Sequence, residues 1–255
     1  MEVVICPDEA QVGRAAADRV VHWLEGVSAP VLGLATGSSP LALYGELARR
    51  ADAGEVDFSH ATGFALDEYV GIDPAHSLSY RQTILRTVVE PLRMNPARVR
   101  VPDGVAEDLT AAAAEYDAAI QAAGGVDVQV LGIGSNGHIG FNEPTSAFDS
   151  RTRVKTLTQR TRVDNARFFE ANEQVPTHCV TQGLGTIREA RHIVMVATGA
   201  HKADAVAAMV EGPVAATCPA SILQFHPKTL VVVDEAAAAK LRLSDYYRYV
   251  QEHLI

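Results

Sequence analysis

The sequence predicts an α/β fold, an open and mainly parallel β-sheet with helices on both faces. Two observations carry that expectation. Short apolar, β-branched runs alternate along the chain with longer segments of helical periodicity. Three of those runs pass directly into glycine, hydroxyl or carboxylate residues, as strands do where they deliver the chain to a crevice at the carboxyl edge of such a sheet. The alternation describes a Rossmann-like architecture.

In chain order, a first strand is expected over residues 3–6. A helix over 8–25 follows, capped by Asp8 and turning Ala15, Val20, Val21 and Leu24 inward. The strand at 31–35 runs into Thr36-Gly37-Ser38-Ser39-Pro40, and the proline suits the first turn of a helix over 40–53. A strand at 62–66 precedes helices at 77–89 and 107–123, the second containing an alanine-rich stretch of strong helix formers. The strand at 126–132 enters a glycine-rich segment. Strands at 192–198 and 229–234 flank a helix at 202–211, and a last helix covers 244–253. The soft connections at 103–107 and 171–176 are too short for an interdomain linker and there is no internal repeat, so one domain over 1–255 is expected.

Composition narrows the function classes. With 47% hydrophobic and 21% charged residues, the 255-residue chain reads as an ordinary globular protein. A net charge of −9 argues against nucleic acid and anionic membranes as partners, and any anionic ligand must be met by local positive charge. Cys6, Cys179 and Cys218 are widely spaced and odd in number, which suits buried reduced thiols and indicates neither a metal site nor a disulfide framework. No basic segment leads an apolar core, and no apolar run approaches the length of a membrane span, so a cytoplasmic location is expected.

Three loops carry the candidate chemistry. The run Gly132-Ile133-Gly134-Ser135-Asn136-Gly137-His138-Ile139-Gly140-Phe141-Asn142-Glu143-Pro144 places an imidazole, which moves protons near neutral pH, on a turn whose glycines permit close approach to a ligand. Glu143 can fold back towards His138. In Phe64-Ala65-Leu66-Asp67-Glu68-Tyr69, an apolar approach ends in carboxylates. Asp67, partly desolvated in the same crevice, would make a general base, whereas a plain structural reading has Asp67 or Glu68 cap the following segment. The loop 36–39, with hydroxyls and backbone N–H groups before a helix, suits a phosphate-sized anion. It matches neither the P-loop nor the dinucleotide fingerprint.

At these residues the chain closely resembles the glucosamine-6-phosphate deaminase (glucosamine-6-phosphate isomerase) family. The resemblance spans essentially the whole chain. It rests on 35–40, on Leu66-Asp67-Glu68-Tyr69-Val70-Gly71 and on the run 132–144. Ser150-Arg151-Thr152-Arg153-Val154-Lys155-Thr156-Leu157-Thr158 continues it, as do 161–169 and Pro219-Ala220-Ser221-Ile222-Leu223-Gln224-Phe225-His226-Pro227. The related 6-phosphogluconolactonases share the fold and phosphate loop, and are expected to differ where this chain has Phe141-Asn142-Glu143-Pro144. A non-catalytic sugar-phosphate sensor is the alternative from another class, and the presence of Asp67, His138 and Glu143 together argues against it.

The resemblance implies the conversion of glucosamine 6-phosphate and water to fructose 6-phosphate and ammonia, with no metal or organic cofactor. Asp67 matches the proton acceptor at carbon 2, His138 the group that opens the pyranose ring, and Glu143 its carboxylate partner. Many family members carry Asp where this chain has Asn136, whose carbonyl can orient the imidazole but adds no charge. Thr36, Gly37, Ser38, Ser39, Arg167 and Lys202 match the phosphate contacts. Arg167, Phe168 and Phe169 lie in a segment that resembles the family's lid. Lys202 is one of four lysines in the chain. Ser146, Arg153, Lys155 and Thr156 match an intersubunit allosteric set that in some members binds N-acetylglucosamine 6-phosphate together with a C-terminal tyrosine, for which 245–249 offers candidates. Arg151, Arg153 and Lys155 at alternate positions would crowd like charge on one strand face. A homo-oligomer such as a hexamer and a monomer both remain open.

Overall fold

The computed structural model describes residues 1–166, 169 and 173–253. The chain runs through β1 (Glu2–Cys6), α1 (Glu9–Trp23), β2 (Val31–Leu34), α2 (Leu41–Asp52), β3 (Thr62–Ala65), β4 (Asp67–Tyr69) and α3 (Tyr80–Ile84), the last continued by a π-turn. It proceeds through β5 (Val99–Arg100), α4 (Leu109–Ala122), β6 (Val128–Leu131), β7 (Arg153–Thr156), α5 (Gln159–Ala166) and β8 (His178–Thr181). It ends with α6 (Leu184–Arg188), β9 (His192–Ala197), α7 (Ala203–Glu211), β10 (Thr229–Asp234), α8 (Glu235–Ala238) and α9 (Ser244–Glu252).

A seven-stranded sheet of order β1-β10-β9-β6-β2-β3-β5 forms the centre, and its pairs are parallel. Val231, Val232 and Val233 in β10 are all fully buried, because helical layers cover both faces of the sheet. Asp8 caps α1, its carboxylate accepting from the Gln11 N–H at 2.8 Å. The helix buries Val12, Ala16, Ala17, Val20 and Leu24. Of the inner face expected from the sequence, Ala15 and Val21 are only half-buried, flanking this stripe.

The order of the strands creates the crevice. From β2 the chain moves outward to β3 and β5, then returns to lay β6 against the opposite edge of β2. The loops that leave β2 and β6 therefore diverge to opposite sides and open a gap at the carboxyl edge, the usual ligand position in such sheets. Among the described residues no helix is long and apolar enough to cross a membrane.

A second sheet was not visible in the sequence. The chain leaves β3, passes only Leu66, and enters β4, which pairs antiparallel with β8, itself antiparallel to β7. The apolar approach to Asp67 thus does not end there; Asp67 opens a strand and faces Thr181 across the ladder. The expected crowding of like charge on one strand face holds for Arg153 and Lys155 in β7 but is corrected for Arg151. Arg151 lies before β7 and pairs with Asp117 at 3.3 Å and Glu189 at 2.6 Å, so its charge is met by carboxylates.

Candidate active site

A cavity of about 500 Å³ occupies the crevice, lined in part by Thr36–Ser39, Asp67, Gly132–Ser135, His138 and Lys202. Each group arrives from a different strand end. The loop after β2 is pinned by Tyr44, whose hydroxyl accepts from the Ala35 N–H at 3.0 Å and donates to the Ala35 carbonyl at 3.1 Å. Beyond that clasp Gly37 turns with a φ of 91°, and Thr36, Ser38 and Ser39 stand before α2.

The loop after β6 holds the imidazole. The Gly134 N–H donates to the His138 carbonyl at 2.9 Å, and the ring folds back over Gly134. A Cβ at residue 134 would lie 2.2 Å from the imidazole Cε1, so only glycine leaves room for it. Asn136 Oδ1 is 2.7 Å from His138 Nδ1, and it also accepts the His138 backbone N–H at 3.2 Å. The Asn136 amide then donates to Glu143 Oε2 at 2.7 Å. This network orients the Asn136 side chain, with its carbonyl towards donors and its NH₂ towards a carboxylate. Nδ1 must carry a proton to meet that carbonyl, which leaves Nε2 as the basic nitrogen.

Glu143 therefore does fold back, but it stands 3.7 Å from Nδ1 with Asn136 bridging the two. Its carboxyl is almost fully buried at 2% exposure. Burial alone would raise its pKa, yet the neighbouring His138, Thr161 and Thr158 favour the charged form and hold it down to about 2. It is a permanent anion behind the histidine.

Asp67 is buried too, with 5% exposure, but differently surrounded. No described residue donates a hydrogen bond to its carboxyl. Burial first, and the neighbouring Glu68 carboxyl second, push its pKa well above the usual carboxylate range. Gly140, at a φ of 53°, brings the backbone so close that a Cβ there would sit 3.4 Å from Asp67 Oδ2. Glu68 follows the plainer reading. It accepts the N–H groups of Tyr80 at 3.0 Å and Arg81 at 2.9 Å, capping α3.

Lys202 ends a short 3₁₀ turn after Gly199, and its Nζ donates to the Ile133 carbonyl at 2.6 Å, beside the cavity. Asp234, which the sequence reading did not single out, fixes that turn by accepting the Gly199 N–H at 3.0 Å. Arg167 and Phe168 lie outside the described residues; Phe169 packs edge-on against Tyr69. Ser146, Arg153, Lys155 and Thr156 do not line the cavity. Two of them stand behind the loop that carries His138, where Ser146 Oγ donates to the Glu143 carbonyl at 2.7 Å and Arg153 donates to Asn142 Oδ1 at 2.9 Å. In the tail, Tyr247 donates to Glu211 at 3.2 Å, whereas Tyr246 and Tyr249 are exposed.

Sequence reasoning missed Tyr80, Thr158, Ser135 and Asp164. Ser135 Oγ donates to Asp164 Oδ2 at 2.9 Å across the cavity mouth, and Thr158 donates to Glu143. Both contacts join residues far apart in the chain, and no spacing rule could have paired them.

A model of the glucosamine-6-phosphate isomerase/6-phosphogluconolactonase family matches residues 7–232. The chain belongs to this family. Within the glucosamine-6-phosphate isomerase/6-phosphogluconolactonase family it is 61% identical to the glucosamine-6-phosphate deaminase of Cutibacterium acnes, over 98% of this chain and 95% of that protein. The solved structure of a monomeric glucosamine-6-phosphate deaminase superposes with a TM-score of 0.91 at 36% identity, covering 94% of this chain and all of that one. The 6-phosphogluconolactonase of Trypanosoma cruzi superposes with a TM-score of 0.74 over 94% of this chain and 97% of that one, and at 17% identity shares the fold alone.

Proposed function

We propose that the chain converts glucosamine 6-phosphate and water to fructose 6-phosphate and ammonia, with the cavity as its active site. The observation that carries this reading is the pairing, in one cavity, of a buried carboxyl to which no described residue donates and an imidazole backed by a carboxylate held as an anion at neutral pH. The reaction needs two proton movers of different character. Ring opening requires a group that gives and takes protons near neutral pH, the role of His138 through Nε2. The proton on carbon 2 requires a partly dehydrated, more basic carboxylate, the role of Asp67. As Asp67 takes that proton, the electron pair of the C–H bond forms the carbon 1–carbon 2 double bond, while the π pair of the carbon 1 carbonyl moves to its oxygen, which takes up a proton from solvent and leaves an enolamine. Returning the proton to carbon 1 leaves an iminium at carbon 2, where water adds and ammonia departs. The substrate's own carbonyl accepts the electron pair in the first step and its amine supplies one in the second. Incubating the protein with glucosamine 6-phosphate and measuring ammonia and fructose 6-phosphate tests the reading. Hydrolysis of 6-phosphogluconolactone without ammonia release would replace it with the lactonase.

In this reading the phosphate meets Thr36, Gly37, Ser38, Ser39, Arg167 and Lys202. Lys202 then exchanges part of its hold on the Ile133 carbonyl for the anion. Lys202→Ala is expected to raise KM more than it lowers kcat, because the phosphate is bound alike in ground and transition states. A charged hydrogen bond of this kind is worth roughly 1.5–3 kcal/mol, about tenfold to a hundredfold in affinity. Steady-state kinetics at low ionic strength check it, and unchanged constants would leave Lys202 a structural cation.

Asn136→Asp has a sign that the bridging geometry sharpens. The substitution sets a carboxylate where the amide now donates to Glu143, so two carboxylates face each other beside the imidazole. Added negative charge favours the protonated ring. The limb of the pH–rate profile that reports the imidazole should move to higher pH. Superimposable profiles for the two proteins would show that residue 136 is uncoupled from the histidine.

A further inference from the structure

The second oxygen of Glu143 leads away from the histidine. Glu143 Oε1 accepts both the backbone N–H of Thr158 at 3.0 Å and its hydroxyl at 3.1 Å. The same hydroxyl accepts the Thr161 N–H at 3.2 Å and lies 3.0 Å from the Thr161 hydroxyl, while the Thr158 carbonyl accepts the Arg162 N–H at 3.0 Å. Thr158 is thus the cap of α5, and its single hydroxyl proton goes to the carboxylate, the strongest acceptor in reach.

Helix α5 is also a wall of the cavity, to which it contributes Arg160, Thr161, Val163, Asp164 and Asn165. Thr158 therefore joins the start of that wall to the carboxylate that, through Asn136, faces His138. We propose that Thr158 is a positioning residue that ties proton transfer at His138 to the seating of α5. With α5 in place, the Thr158 N–H and hydroxyl hold Oε1, which leaves Oε2 aimed at the Asn136 amide and keeps the imidazole in its working tautomer. With α5 displaced, Glu143 loses two donors and its orientation with them. Ring opening is then efficient only when the wall around the substrate is formed. The inference rests on the reading above, in which His138 opens the ring.

Other bonds hold α5 without touching Glu143, among them those from Ser135 to Asp164, from Asn165 to the Tyr69 hydroxyl at 2.9 Å and from the Arg162 guanidinium to the Val175 carbonyl at 3.0 Å. They supply the control. The test compares ammonia release from glucosamine 6-phosphate by the full chain and by Thr158→Ser, Thr158→Asp, Asp164→Asn, Glu143→Gln and Thr158→Asp/Glu143→Gln. Serine keeps both the cap and the donor; aspartate caps a helix equally well but cannot donate to Glu143. Thr158→Asp should lower kcat about tenfold or more, Thr158→Ser should stay within about threefold of wild type, and Asp164→Asn should act mainly on KM. On a Glu143→Gln background, Thr158→Asp should cost less than about twofold further, since its target is already gone.

Equal activity of the aspartate and serine variants would overturn the proposal and leave Thr158 a cap alone, as would additive losses in the double variant. A wild-type chain that releases no ammonia fails the functional reading instead. The coupling is then read from the ¹⁵N signals of the His138 ring, which Thr158→Asp must move and Asp164→Asn must leave in place; unmoved signals in Thr158→Asp overturn it.

Discussion

Asp67→Asn is expected to abolish turnover while making the protein harder to melt at neutral pH. Loss of a general base costs on the order of a hundredfold or more, and the amide cannot take the carbon 2 proton. The stability effect follows from the environment of the carboxyl. Burial and the adjacent Glu68 raise its folded pKa above the unfolded value. A raised carboxyl contributes its full stabilising share only below its unfolded pKa, near 3.9, and loses it as pH rises through the folded value. At pH 7 an ionised Asp67 therefore weighs against folding, and asparagine removes that cost. Melting curves should place the Tm of Asp67→Asn above wild type at pH 7, with the gap closing towards pH 4. A variant that keeps a tenth of the activity would remove Asp67 from the role of base.

Glu143→Gln should lose on both counts. Its carboxylate takes three donors, from Asn136 and from the N–H and hydroxyl of Thr158. A glutamine must turn its NH₂ against one of them. Activity is expected to fall on the order of a hundredfold, less than where a carboxylate touches the catalytic imidazole directly, because Asn136 stands between. The folded pKa of about 2, against an ordinary 4.5, corresponds to roughly 3 kcal/mol of stability at neutral pH. That contribution is complete above about pH 4.5 and is lost as pH falls towards 2. Wild type should accordingly lose stability across this acid window by a margin that Glu143→Gln does not show. Parallel denaturant titrations between pH 7 and pH 3 measure the difference; identical slopes with pH would mean that Glu143 is not held as a buried anion.

The two carboxyls show where reading the chain succeeds. Asp67 stood out because it ends an apolar run, and Glu143 because it lies five residues beyond His138 on a glycine-rich turn. Their opposite electrostatics did not stand out. Asp67 sits where the chain crosses into a second sheet after Leu66 and receives no hydrogen bond from the described residues, whereas Glu143 gathers donors because Thr158 arrives from fifteen positions away. Glu68 and Asp67, adjacent and alike in sequence, divide into a helix cap and a cavity carboxyl solely through where α3 begins.

What the sequence determined by itself were the features set by local pattern: the six long strands of the central sheet, the helices between them, the glycine-rich turns, and the loops at which ligand chemistry would gather. Periodicity, capping and backbone freedom act over a few residues, so they are legible in a few residues. Only the tertiary structure decided the second sheet, whose strands of three and four residues have no pattern of their own and exist because β4, β7 and β8 pair across distant segments. It also decided that Arg151 is neutralised, that Asn136 bridges rather than merely orients, and that Thr158 joins helix and carboxylate. These are contacts between groups far apart in the chain, and their energies depend on burial and on partners that exist only after the sheet has closed the crevice.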